Sequence, residues 1–390
     1  MIDCSQLVKC NAAQQKSIIF VYIQHIKLLP CLPWHRLPTQ SNIEPRMSAE
    51  RKKLLIIGST QGVYGGIEAF MMAVAEAAQK WPELDVKVCF KLIKGVEADE
   101  HIISMARKYC HSVHFVRRGS RELMSLIRWA DVIHAQNMPP DIVIPAFLKR
   151  KKILLTVHNK KFPQASLHRL MWGLTIRLAD KRWFNSNFVW NTWEPGEKDK
   201  NSACIPTVCR FPDEYVPPQD RKGFLFVGRW IENKGIEELI EAYKSIDNPE
   251  WPLTILGDGP LHDRVHGLIE KTGVENVTLP GFVSDKTKQE MIASCKWLLA
   301  PAKTQEDLGL TPIEARCAGV PSIVTRDGGL PESGGRAALV AEPGNVQDLA
   351  QRMNEAIRMS EEAYAKRSAL AKASLAEFLK PMEFYRKAYE

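Results

Sequence analysis

The chain has 390 residues, 45% of them apolar and 25% charged, with a formal net charge of +8. This length and apolar content are enough to bury two cores, most naturally as a pair of α/β domains, and they exclude a disordered chain. Its nine cysteines form no Cys-x-x-Cys pair and no Cys/His cluster of zinc-finger spacing, which points to a reducing, cytosolic setting. Cys204, Cys209, Cys295 and Cys317 read as small buried apolar residues.

Residues 1–46 form a leader of doubtful structural role. Its apolar run Ser17–Ile23 is too short to span a bilayer, and it is followed by Pro30, Pro33 and Pro38 rather than by a small-residue cleavage site. Met47 stands just before a basic stretch and the first core strand, so the functional protein could begin there. From that point apolar runs of strand length alternate with amphipathic stretches of helix length, the pattern of βαβ units and parallel sheets. A first α/β series, residues 47–210, has strands expected near 54–58, 86–92, 112–116, 131–135, 152–157, 181–185 and 203–207. Helices are expected between them, Glu68–Lys80 and Arg121–Trp129 among them. Residues 211–221, rich in proline and charge, read as a linker without regular structure. A second series, residues 222–374, has strands near 224–228, 252–256, 277–279, 297–300, 321–325 and 338–341, with helices starting near Gly235, Pro260, Thr287, Thr311 and Asn345. An amphipathic helix follows Pro381 in the terminal segment 375–390.

Residues 51–210 carry 26 Lys and Arg against 14 Asp and Glu, a balance of +12, whereas residues 222–390 carry 21 against 25, a balance of −4. An anionic partner therefore suits the first series better than the second. Leu167–Leu178 adds an apolar, Trp-bearing helix with basic neighbours, which reads equally as a packed core helix or as a surface for an anionic membrane. No recognised nucleic-acid motif accompanies the basic runs Lys149–Lys152 and Lys160-Lys161, so no nucleic-acid partner is expected.

The segment Gln305–Ala315 sets two carboxylates, Glu306 and Glu314, eight positions apart around a helix start. Thr311-Pro312-Ile313-Glu314 has the form of a capped helix N-terminus, with Thr as cap and Pro at the first helical position. Such an end offers free N–H groups to a phosphate, and flanking carboxylates accept hydrogen bonds from sugar hydroxyls. The plainer reading is that Glu314 merely closes a capping box.

With its surroundings this segment resembles the E-x7-E signature of the retaining glycosyltransferases of family 4, which have the GT-B fold. Further motifs follow in the family's order. They are Gly65-Gly66-Ile67-Glu68 after the strand Leu54–Gly58, Thr156-Val157-His158-Asn159, and Gly228-Arg229 with Asn233-Lys234-Gly235. Leu256–Leu261, Gly281-Phe282-Val283 and Gly328–Glu332 complete the series. The resemblance covers residues 54–345 and departs from the pattern at Leu308, where the family has an aromatic residue, at Thr207-Val208, and at Asn159, where the family has Asp.

The resemblance implies two Rossmann-like domains facing a cleft, the first on the acceptor side, the second binding the nucleotide-sugar, and the terminal helix crossing back to the first. It implies transfer of a sugar from a UDP- or GDP-sugar to a glycan or lipid-linked acceptor with retention of configuration. Arg229 and Lys234 would hold the diphosphate, with N–H groups of Leu308, Gly309, Leu310 and Thr311 beside them. Glu306 would contact the donor sugar, Glu314 the ribose, Phe282 and Val283 the base, and His158 the transferred sugar across the cleft. Gly228 and Gly257 belong to the donor-side turns. Gly65 and Gly66 suit either close backbone approach to donor or acceptor, or a tight turn. No metal and no cofactor beyond the co-substrate is expected, and the chain has no Asp-x-Asp pair. A dinucleotide-dependent oxidoreductase is disfavoured, because Gly58–Gly62 does not give G-x-G-x-x-G. A non-catalytic nucleotide-sugar-binding protein on the same fold remains the alternative.

Overall fold

The computed structural model describes residues 50–162, 167–208, 215–304 and 306–390. The leader, the Met47 start, Cys209 and the first part of the linker lie outside them. Seven strands form the first sheet: β1 (Lys52–Thr60), β2 (Leu84–Leu92), β3 (Val113–Arg117), β4 (Val132–Gln136), β5 (Lys152–Val157), β6 (Lys181–Phe184) and β7 (Ser202–Cys204). Six form the second: β8 (Lys222–Val227), β9 (Leu253–Leu256), β10 (Val277–Gly281), β11 (Cys295–Ala300), β12 (Ser322–Thr325) and β13 (Leu339–Ala341). The paired strands are parallel, in the orders β3-β2-β1-β4-β5-β6-β7 and β10-β9-β8-β11-β12-β13. Both sheets thus reverse direction beside their first strand, and each opens a crevice at its carboxyl edge there.

Helices cover both faces of the first sheet, which is why β1 reads as an unbroken apolar run. Leu54 and Ile56 pack with Phe70 and Met71 of the helix Gly66–Ala78, while Leu55 and Ile57 pack with Leu123 of Arg121–Trp129 and Ile142 of Pro140–Leu148. The second sheet alternates in the same way. Phe224 and Phe226 face Ile236 and Leu239, and Leu225 faces Ile292 and Ala315. The linker is less irregular than its composition suggests, since Pro218–Asp220 forms a 3-10 turn whose first proline has its φ already set for the bend. Buried Arg221 anchors this end by donating to the carbonyls of Val216, Ala318 and Gly319.

The last helix, Met382–Tyr389, leaves the second domain and packs on the first. Tyr385 and Tyr389 are fully buried with Phe70 and Trp183, and Arg386 pairs with Glu83. Each such apolar side chain contributes about 1.5–3 kcal/mol on burial. Tyr389 also closes a buried chain in which its hydroxyl lies 2.8 Å from Nδ1 of His134, whose Nε2 lies 2.8 Å from Oγ1 of Thr156. Burial, aided by the neighbouring His158, lowers the pKa of His134 from 6.5 to about 3.

Unfolded chain takes up a proton at this position below pH 6.5, while the folded ring stays neutral until about pH 3. The stability it contributes is therefore complete above pH 6.5 and is lost as pH falls through that window, by about 1 kcal/mol per pH unit. Urea unfolding at pH 7.5, 6 and 5 should show His134→Gln losing less stability on acidification than the natural chain. Identical pH slopes would contradict this account of His134.

Candidate active site

A cleft of about 440 Å³ lies where the carboxyl edges of the two sheets face each other. From the first domain it is lined by Gly66, His158, Asn159 and Asn185, and from the second by Gly228, Arg229, Lys234 and the run Glu306–Thr311. The residues expected to be catalytic, His158, Arg229, Lys234 and Glu306, thus come to one cavity from sequence separations of up to 148 positions.

On the second domain, Gly228 and Arg229 follow β8, and Lys234 ends a 3-10 turn before the helix Ile236–Tyr243. Arg229 is exposed to the cleft. Lys234 pairs closely with Glu306, both being mostly buried. Backbone bonds hold the loop of Glu306: its N–H donates to Asp327 at 2.9 Å and its carbonyl accepts from Gly329 at 3.0 Å. The loop then enters the helix Leu310–Cys317 through Gly309, whose φ of +85° favours glycine. Gly309 is therefore the cap, and no side chain caps this end.

This geometry corrects the capping-box reading. The helix starts before Thr311, so Glu314 is beyond the capping position, and its buried carboxylate pairs with Lys288 at 3.0 Å. Burial raises its pKa, against the opposing pull of Lys288. Glu314 is not among the residues lining the cleft, nor are Gly65, Gly257, Phe282 and Val283. Gly65 caps the helix Gly66–Ala78, and Gly257 packs under the Gly228 carbonyl. Phe282 stands 84% exposed beyond β10, while Val283 packs with Leu256 and Ile292.

On the first domain, Gly66 meets the helix start directly, since a Cβ there would lie 2.5 Å from Leu310 Cδ1. Glu68 pins this loop through hydrogen bonds with Thr60 and Gly65, and burial raises its pKa. His158 follows β5, with its Nε2 2.9 Å from Gln136 Oε1 and its N–H donating to Asn137 at 2.9 Å. Burial lowers its pKa to about 3, so near neutral pH it is a neutral imidazole. It acts there as a hydrogen-bonding group, not as a cation.

Asp307 is the residue the sequence reading missed. Its side chain crosses the cleft to the His158 loop, accepting from Lys160 N–H at 3.2 Å and from Asn159 Nδ2 at 3.5 Å. Burial first, then the adjacent Glu306, pushes its pKa up to about 6, against the effect of Lys160 and Asn159. Glu332 makes a second crossing, accepting from the N–H groups of Asn187 and Phe188 at 2.9 Å each. The signal available was the departure at Asn159, an amide where the resembling family has a carboxylate.

Residues 210–374 match the family model of the glycosyl transferases group 1. The uncharacterized glycosyltransferase MJ1178 of Methanocaldococcus jannaschii is 27% identical over 239 residues, covering 59% of this chain and 66% of that protein. A second uncharacterized glycosyltransferase of that organism, MJ1607, is 36% identical over 146 residues, 37% of either chain. The chain thus spans less than two thirds of the length of these relatives. Among solved structures, HepE of Anabaena in complex with UDP-glucose superposes with a TM-score of 0.70 at 18% identity, covering 86% of this chain and 98% of that one. The protein has the GT-B fold, and its residues 210–374 are similar to the glycosyl transferases group 1.

Proposed function

We propose that this protein is a retaining glycosyltransferase of family 4 that moves a sugar from a nucleotide-diphosphate donor to a hydroxyl acceptor in glycan or polysaccharide synthesis. The observation that carries this reading is the convergence of Arg229, Lys234, Glu306 and the start of the helix Leu310–Cys317 on one cleft, opposite His158. Two cations and a helix N-terminus suit a diphosphate. The bound state of HepE makes a UDP-sugar the first donor to try.

Lys234 and Glu306 neutralise each other. A donor would give each a new partner, with a phosphate oxygen on the ammonium and a sugar hydroxyl on the carboxylate. Arg229 and Lys234 would then stabilise the charge that grows on the leaving diphosphate. In the front-face substitution we favour, the bond from the anomeric carbon to the phosphate oxygen breaks as the acceptor oxygen bonds on the same face. The acceptor proton passes to the departing phosphate. Because side chains and a helix end supply the positive charge, no divalent metal is needed.

Lys234→Ala and Arg229→Ala should each lower acceptor-dependent release of nucleoside diphosphate by roughly 10²-fold. The same assay should be unaffected by excess EDTA. Near-normal turnover in both variants removes the diphosphate clamp, and a loss in EDTA restored by Mn²⁺ removes metal independence. Nucleotide-sugar binding without turnover in the natural chain favours a non-catalytic binding protein.

The acceptor is proposed to be lipid-linked and to be met at the inner face of a membrane. Among the described residues no helix is long and apolar enough to cross a bilayer. Yet the helix Leu167–Leu178 turns Leu167, Leu170 and Leu174 outward at 74%, 71% and 45% exposure, while Thr175 and Ile176 face the core. Phe147 and Leu148 are exposed at the end of the neighbouring helix, just before the basic run Lys149–Lys152. Outward leucines beside lysines suit an anionic lipid surface. The protein should co-sediment with anionic but not neutral vesicles, less so as salt rises, and Leu170→Ser with Leu174→Ser should weaken this. Equal indifference to both vesicle types rejects docking.

A further inference from the structure

We infer that Asp307 is a positioning residue that latches the His158 loop of the first domain to the donor loop of the second, and that its partner Asn159 must be uncharged for the latch to close. The inference rests on the glycosyltransferase reading for its effect on turnover, but not for the latch itself.

Asp307 reaches across the cleft from between Glu306 and Leu308. Its carboxylate accepts from Lys160 N–H and Asn159 Nδ2, and its own carbonyl accepts from Ser186 Oγ at 2.6 Å. One residue therefore ties the second domain to two separate loops of the first. Those loops are themselves rigid. Asn185 Nδ2 donates to the His158 carbonyl at 3.1 Å, and Trp193 Nε1 donates to the Asn159 carbonyl at 2.9 Å. Glu306 on one side and His158 on the other are thereby held at a set separation, with the space for the transferred sugar between them.

The chemistry of position 159 follows from this contact. An amide there donates to the Asp307 carboxylate, whereas a carboxylate there would meet a like charge at hydrogen-bond distance in a half-buried site. The main-chain N–H of Lys160 adds a donor that no side-chain change at 159 removes. Two carboxylates here would repel each other or have to share a proton, whereas the amide donates to Asp307 directly. In this chain the carboxylate stands on the donor loop.

The test is a reciprocal exchange using Asn159→Asp, Asp307→Asn and the double variant. Asn159→Asp alone should lower turnover roughly tenfold, a coupling of ordinary size for residues in contact. The double variant should return to within about threefold of the natural chain. Nucleoside diphosphate affinity should stay within about twofold throughout, since Arg229 and Lys234 are untouched. Small-angle scattering of the ligand-free protein provides a readout independent of activity: Asn159→Asp should raise the radius of gyration, and the double variant should restore it. Losses that simply add in the double variant, in both turnover and scattering, overturn the latch. If no donor and acceptor pair turns over with the natural chain, the enzyme reading fails while scattering still decides on the latch. Asp307→Ala serves as the deletion control and should behave like Asn159→Asp in both readouts.

Discussion

The structure depends on the path of one loop, from Glu306 to the helix that starts at Leu310. Its backbone is tied underneath to Asp327 and Gly329, and Gly309 supplies the positive φ that swings the chain into the helix. Consecutive side chains on this fixed path point to different tasks. Glu306 turns to Lys234 in its own domain, Asp307 crosses to the other domain, and Leu310 lies against Gly66. Moving the helix start by even one residue would redistribute all three.

The electrostatics of the cleft follow from keeping its charges paired. The ammonium of Lys234 and the carboxylate of Glu306 would each be costly to leave partly desolvated and alone, and together they offset that cost. His158 fits the same logic, because its burial keeps the ring neutral and so adds no unpaired charge to the cleft.

Most of the fold was legible because it is written in local pattern. The strand expected at 152–157 is β5, and the helix expected at Arg121–Trp129 has those ends, its cap being Ser120. Long apolar runs and side-chain caps act over a few residues and leave a signature of the same length. What was misread arose where two local signals compete. Thr311-Pro312-Ile313-Glu314 carries a capping-box pattern, but Gly309 can adopt a backbone that starts the helix earlier, and Glu314 then finds Lys288 instead. Asp307 was missed for a different reason. Its partners, Asn159 and Lys160, are nearly 150 residues away in the chain, and no periodicity reports a contact between domains.

Two of the connections between the domains among the described residues differ in kind. At the tail, Tyr385, Ala388 and Tyr389 are buried in the core of the first domain, and Arg386 pairs with Glu83 at the rim. Exposing three such side chains costs several kcal/mol, at about 1.5–3 kcal/mol for each large one. At the cleft, Asp307 and Glu332 are joined to their partners by hydrogen bonds to their carboxylates, each worth about 1.5–3 kcal/mol net. The tail therefore holds by excluding water from apolar surface, whereas each bond at the cleft competes with water for the same partners.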